Sequence, residues 1–378
     1  MLFSEIIEKY NWADMGREIY AKTPEDVEKA LSKAQQAGGE ITLEDFKALV
    51  SPSAAKAEYL ETMAALSRIA TQKRFGKTIQ FYIPLYLSNE CTNHCIYCGF
   101  NHENKFNRVI LTDEEIIAEA KVIKSMGYEH LLLLTGESPK KAGVDYIEHA
   151  MQILSPYFAQ LSLEVQPLDT NEYARLRKSN LNAVYVYQET YHRERYPIYH
   201  PAGKKSDYTW RVNSQDRLGM AEVNKIGIGA LLGLEDWRIE SLSMALHLLH
   251  LRKEYWRSKY CIAFPRMRPH EGGFQPQFHI SDKEFVQMIW AFRIFDNDLE
   301  MSLTTRENSD FRDHMISLGI TSISAGSQTD PGGYSHPNKE VPQFITNDDR
   351  SVDAMKKMIE EQGYEVVWKD WDRVYDAK

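Results

Sequence analysis

The sequence predicts an α/β fold, a (β/α)8 TIM-type barrel with an N-terminal helical extension and a C-terminal cap, and three observations carry that prediction. Eight short apolar runs recur at 81–88, 131–135, 161–165, 183–187, 226–234, 260–264, 301–305 and 320–324. Amphipathic segments of helical period lie between them, and alternating strand and helix implies a parallel sheet. Each run also ends in polar or glycine-rich residues (SNECTNHC, TGE, QPLDT, QETYH, PRMRP, RENSD, AGSQTDPGGY), which is where a barrel keeps its chemistry. Eight repeats over about 250 residues suit a closed barrel. An open, doubly wound sheet would give the same local pattern, so closure rests on the count.

Residues 1–80 read as helices. Thr23-Pro24-Glu25-Asp26 is a capping box with proline at the first helical position, and Gly38-Gly39 stops the helix that follows. A second helix starts from Thr42 and Ser51-Pro52 opens a third. Within the barrel, Thr112 and Glu115 box the start of a helix that Gly127 ends. From about residue 340 the chain holds one helix (SVDAMKKMIEEQG) and a tryptophan-rich end, EVVWKDWDRV, read as a cap on the barrel. The expected division is 1–80, 81–330 and 331–378.

Bulk composition excludes several classes. The 378 residues are 43% hydrophobic and 26% charged, ordinary for a globular protein, and a net charge of −9 gives no footprint for nucleic acid. The start, MLFSEIIEKYNWADMGREIY, has acids inside its apolar pattern and so lacks the form of a secretory signal. No run approaches the roughly 20 apolar residues of a membrane span. A cytoplasmic protein without membrane or nucleic-acid partners is expected.

Three of the four cysteines crowd into Cys91-Thr-Asn-His-Cys95-Ile-Tyr-Cys98, directly after the first strand. Three thiolates can hold three irons of a cubane cluster and leave the fourth open to an outside ligand. The other readings are a Cys3His zinc site completed by His94 or His102, or three unrelated buried cysteines. Zinc sites usually use C-x2-C pairs, and C-x3-C-x2-C is not one. Cys261 lies in an apolar strand and reads as a small buried hydrophobe.

That spacing, with an aromatic residue before the third cysteine, resembles the radical S-adenosylmethionine superfamily. A closer resemblance spans nearly the whole chain: FYIPLYLSNECTNHCIYCGF, HLLLLTGE, LEVQPL, VYQETYH, DRLGMAEVNKIGIGALLGL, FPRMRP, SLTTRE, DPGGY and VWKDW occur in the order found in the radical tyrosine lyases that make 2-iminoacetate. The resemblance implies one [4Fe–4S] cluster per chain on Cys91, Cys95 and Cys98, with S-adenosylmethionine on the open iron. It implies cleavage of the Cα–Cβ bond of L-tyrosine to 2-iminoacetate (dehydroglycine) and p-cresol, the former destined for the thiazole of thiamine. It also implies a thiazole synthase as protein partner and a small electron-transfer protein as reductant. A related hydrogenase-maturation family adds a C-terminal cysteine cluster, and no cysteine follows Cys261 here. A tryptophan lyase on the same scaffold is the runner-up, and a zinc-binding structural protein is the reading from another class.

The same resemblance assigns site residues. Thr135, Gly136 and Glu137 stand where the superfamily has a Gly-Gly-Glu motif for the methionine amino group, with Thr as a departure. Glu189 and Arg217 match a pair holding the polar end of S-adenosylmethionine, with Glu164 and Gln166 as weaker members of that ring. Gly227 and Gly229, with Gly233, match a segment that meets adenine, although glycines in a strand also mark bends. Arg306 matches the arginine for the amino-acid carboxylate, with Thr305 beside it. Arg266 and Arg268 either face the same cavity or form salt bridges on the barrel rim. His192 is either near the substrate or structural.

Overall fold

Eight parallel strands form a ring: β1 (Thr78–Ser88), β2 (His130–Thr135), β3 (Gln160–Glu164), β4 (Leu181–Tyr185), β5 (Lys225–Gly229), β6 (Lys259–Ala263), β7 (Glu300–Leu303) and β8 (Ser322–Ser324). Because β1 pairs with both β2 and β8, the sheet closes, and the open-sheet alternative falls. The structure, a computed structural model, describes residues 1–369 apart from 37, 271, 272, 338 and 339. The VWKDW motif therefore runs past the described residues at Asp370, and the end of EVVWKDWDRV lies outside them.

Alternation along each strand sorts the barrel into wall and interior. Leu131 and Leu133 of β2 join the main core under the helices, while Leu132 and Leu134 turn inward beside Tyr86 and Cys91. Strand β1 has 11 residues, about twice the usual length. Its surplus length takes a ninth strand, β9 (Glu365–Val367), which pairs with Thr78–Gln80 while β2 begins at Ile83 on the same edge. A three-residue strand carries too little pattern to be seen in sequence. The fifth apolar run was also read too long: β5 ends at Gly229, and residues 230–234 are buried loop over the barrel mouth.

Five helices precede the barrel: α1 (Phe3–Ile7), α2 (Trp12–Tyr20), α3 (Pro24–Gln35), α4 (Leu43–Val50) and α5 (Ala57–Phe75). The box at Thr23 forms as expected, Asp26 N–H donating to Thr23 Oγ1 and Thr23 N–H to Asp26 Oδ2. Thr112 and Glu115 likewise cap the helix Asp113–Ser125. Helices α4 and α5 pack on the barrel helix Asp282–Phe295, with the Phe46 ring 4.9 Å from both Phe292 and Phe295. All strands point the same way, so the loops after β1 to β8 open on one face.

Candidate active site

The loop after β1 is tied down by its own backbone. Arg108 donates to the carbonyls of Asn89, Phe100, Asn101 and Asn104, gathering both limbs of the loop around one guanidinium. Thr92 donates through N–H and Oγ1 to the Glu137 carbonyl, and Asn93 Nδ2 donates to Glu137 Oε2 at 2.8 Å. The loop is thereby fastened to the end of β2. Gly136 is required there: a Cβ would lie 2.3 Å from the Glu90 carbonyl oxygen.

Cys91, Cys95 and Cys98 line one cavity with Thr135, Gly136 and Glu137. Burial pushes the Cys91 thiol up to about 11 and raises Cys95 and Cys98 as well. Among the described residues no three His, Cys, Asp or Glu side chains converge closely enough to hold a single metal ion. His94 is occupied by Glu103 at 2.8 Å and the Nδ1 of His102 by the Cys91 carbonyl. Both imidazoles are thus held by other groups through Nδ1, and the three thiols do not converge on one point as a zinc ion requires. A cluster suits this arrangement better, because each thiolate takes a different iron and the sulfurs stay apart. Thr135 Oγ1, buried in the cavity wall without a partner, is a hydroxyl left for a ligand.

Next to the thiols lies a closed set of four charges. Arg211 donates to Glu137 at 2.8 Å, lies 3.4 Å from Glu189 and also donates to the Tyr187 carbonyl. Lys205 sits 2.7 Å from Glu189. Burial alone would raise Glu137, yet Arg211 and Lys205 hold it below its ordinary range. Burial and the neighbouring Arg211 disfavour charge on Lys205, and the two glutamates outweigh them to keep it protonated. Glu189 adopts φ 69°, a left-handed conformation that non-glycine residues rarely take and that functional sites often hold.

The cavity continues away from the cysteines between Tyr82, Tyr86, Tyr187, Arg268, Thr305, Arg306 and Phe344. Arg306 stacks on the Phe344 ring at 3.5 Å and has no carboxylate at ion-pair distance among the described residues. Glu164, at the end of β3, borders both parts of the cavity. Burial, then the neighbouring Glu189, pushes its carboxyl up to about 7. The segment after β8 covers this half: Asn347 N–H donates to the Thr305 carbonyl and Tyr86 OH to Gln343 Oε1.

The structure thus brings together Cys91, Cys95, Cys98, Thr135, Gly136, Glu137, Glu164, Glu189, Arg268, Thr305 and Arg306. It does not bring in Arg217, which stacks on Trp210 at 3.7 Å and donates to the Leu168 and Trp210 carbonyls. Arg211, one short helix earlier, occupies the place expected of it. Gly227 and Gly229 line neither part of the cavity. A Cβ on them would meet the rings of Tyr185 at 2.1 Å and Tyr187 at 2.7 Å, so these glycines seat two inward aromatics of β4 and its extension. Arg266 pairs with Glu307 and Asp282 and is a rim bridge, while Arg268 keeps a face on the cavity. Gln166 bonds to the Ala142 carbonyl, and His192 stacks on Trp12 beside Glu235. Cys261 is buried on β6, away from the other three cysteines. Sequence reasoning misses Lys205, Arg211, Arg108, Gln343 and Phe344; charge or amide character marks the first four, and nothing local marks Phe344.

Comparison with known proteins identifies the family. Residues 85–245 match the radical SAM superfamily, and residues 263–365 match the biotin and thiamin synthesis associated domain. The chain is 45% identical over 371 residues to a 2-iminoacetate synthase of Escherichia coli (strain K12), covering 98% of this chain and 97% of that one. The 2-iminoacetate synthase of Salmonella typhimurium is 44% identical over the same length. Among solved structures, HydG, a maturase of the [FeFe]-hydrogenase, superposes with TM-score 0.89 at 30% identity, over 94% of this chain and 80% of that one.

Proposed function

The chain belongs to the 2-iminoacetate synthase family of the radical S-adenosylmethionine superfamily, and we propose how its barrel mouth performs that family's reaction. The enzyme is a carbon–carbon lyase that cleaves the Cα–Cβ bond of L-tyrosine to 2-iminoacetate and p-cresol, in the service of thiamine biosynthesis. The observation that carries the site reading is the three-cysteine loop opening on the same cavity as Glu137, Glu189, Lys205 and Arg211.

Cys91, Cys95 and Cys98 hold a [4Fe–4S] cluster, one per chain. Thr135, Gly136 and Glu137, with Glu189, Lys205 and Arg211, hold the amino and carboxylate end of S-adenosylmethionine. When bound, these two groups supply hydrogen-atom abstraction, the step a protein side chain cannot perform. The chain contributes orientation and exclusion of water. Arg306 and Thr305 take the substrate carboxylate, Arg268 adds positive charge nearby, and Gln343 and Phe344 close the cavity above them. We further take 1–80 as an extension, 81–330 as the barrel and 331–378 as its cap, supported by five helices before β1 and a covering segment after β8. Among the described residues no helix is long and apolar enough to cross a membrane. A thiazole synthase is the fitting recipient, because the imine product hydrolyses readily, and a small electron-transfer protein is the fitting reductant.

Anaerobic incubation with S-adenosylmethionine, dithionite and either tyrosine or tryptophan tests the reading. Tyrosine should give p-cresol and 5′-deoxyadenosine together. Cleavage of tryptophan instead would overturn the substrate.

A further inference from the structure

Two half-buried charges line the mouth with no hydrogen-bonded or ion-paired partner of opposite sign among the described residues, and they stand on opposite walls. In the ring order β2-β3-β4-β5-β6-β7-β8-β1, strands β3 and β7 are four places apart, which is diametrically across an eight-stranded barrel. Glu164 is the last residue of β3, and Arg306 lies three residues beyond the end of β7. Both border the same space. The other nearby charges are already used: Lys205 by Glu189, Arg211 by Glu137 and Glu189, Arg268 by Glu307. No hydrogen bond or ion pair reaches the Glu164 carboxylate from any described residue, whereas Glu137 and Glu189 are each held by cations. A buried carboxylate without a cation is costly, and its raised pKa shows that cost. Glu164 is therefore a carboxyl that a proton or a ligand's cation can satisfy, and Arg306 faces it only across the cavity.

Resting on the tyrosine reading above, we propose that Glu164 receives the α-ammonium group of the substrate while Arg306 receives its carboxylate. Glu164 then belongs to the substrate and not to the S-adenosylmethionine ring to which the sequence assigned it. The two walls together select a free amino acid with both termini unblocked. S-Adenosylmethionine, also an α-amino acid, is drawn to the other half of the mouth, where Glu137, Glu189, Lys205 and Arg211 sit beside the cysteines. An unpaired acid and an unpaired base on facing walls thus keep the two amino acids apart.

Calorimetry on the anaerobic, cluster-loaded enzyme with S-adenosylmethionine present tests this with three ligands. They are tyrosine, 3-(4-hydroxyphenyl)propanoate, which lacks the ammonium group, and tyramine, which lacks the carboxylate. Wild type should prefer tyrosine to each analogue by roughly 10- to 100-fold, the range for one hydrogen bond to a charged group. Glu164→Gln should lose the preference over the propanoate to within about threefold, and keep the preference over tyramine. Its affinity for S-adenosylmethionine should stay within about threefold of wild type. A Glu164→Gln protein that still prefers tyrosine to the propanoate would overturn the proposal. So would wild type that binds the two equally, a result that needs no variant to fold. If another amino acid is the better ligand and Glu164→Gln loses discrimination for its amine, the tyrosine reading fails and this one stands.

Discussion

Arg306, half-buried, and Arg312, fully buried, are six residues apart, yet they belong to two differently built regions. Arg312, on the helix Ser309–Met315, donates to Asp348 and to the Ser324 carbonyl, and Arg350 braces the same carboxylate at 2.7 Å. Every charge there is answered within the chain, and the result fastens the covering segment to β8. Arg306 faces the cavity over Phe344 with no carboxylate beside it. The charge that fastens the fold finds its counterion within the chain, whereas the charge facing the substrate half of the cavity has none beside it. The cysteine loop repeats the contrast, with Arg108 satisfied by four carbonyls and three thiols left facing a cavity.

The largest effects should come from the unanswered thiols. Cys91→Ala, Cys95→Ala and Cys98→Ala should each abolish cluster binding and turnover, while Cys261→Ala, deep on β6, keeps both. Iron content and visible absorbance of the four purified proteins decide the matter. Full cluster occupancy in any of the first three would break the division.

Removing an answered charge should cost stability instead. Asp348→Asn leaves Arg312 buried without its carboxylate, and losing one partner of a buried pair costs about 3–5 kcal/mol. The melting temperature should drop by several degrees, with p-cresol per 5′-deoxyadenosine unchanged in the protein that remains folded. A changed product ratio with normal stability would show that Asp348 serves the site.

Arg306→Lys should do the opposite. It keeps the charge but loses the planar fork that grips a carboxylate at two points. Breaking a desolvated charge pair costs about 2–5 kcal/mol, and a shifted substrate presents the wrong bond. Cluster content and slow cleavage of S-adenosylmethionine should persist while p-cresol per 5′-deoxyadenosine falls sharply. An unchanged ratio would move Arg306 into the structural class with Arg312.

How much of this was legible in the sequence follows the same line. The cysteines, the eight strands and the polar strand ends are local patterns, and their spacing located each of them, with the fifth run too long and other strand ends off by a few residues. Pairing across the fold is not local. Lys205 and Arg211 meet Glu137 only because the chain from 203 to 211 folds back over the cysteine loop, Lys205 N–H donating to Asn93 Oδ1 at 2.9 Å. Gly227 and Gly229 show as a motif, but the tyrosine rings that make them necessary lie on the preceding strand and just beyond its end. β9 had too few residues to carry a period, and Gln343 and Phe344 gain meaning only once the segment after β8 lies across the mouth.

The smallest effect tests the arginine that the resemblance matches to S-adenosylmethionine and that the structure leaves outside the cavity. Arg217 is answered at every point: its Nε donates to the Leu168 carbonyl at 2.9 Å, its Nη2 to the Trp210 carbonyl and Ser214 Oγ, and its plane lies on the Trp210 ring. Lysine cannot stack as a plane or reach two carbonyls at once. Losing two of these three hydrogen bonds to neutral acceptors, together with the stacking contact, at a partly open position costs about 1–3 kcal/mol. Arg217→Lys should therefore lower the melting temperature by only a few degrees and leave S-adenosylmethionine binding within about threefold of wild type. Arg211→Lys is its control. That guanidinium spans Tyr187, Glu137 and Glu189 in the wall of the cysteine cavity, and lysine keeps the charge but cannot hold all three at once. S-Adenosylmethionine affinity should then fall by about tenfold or more, because the two glutamates lose the planar fork that fixes them against the cavity. If instead Arg217→Lys weakens S-adenosylmethionine and Arg211→Lys does not, the residue matched by resemblance is the ligand after all. The four-charge set beside the thiols would then be a brace of the same kind as Arg312 and Asp348.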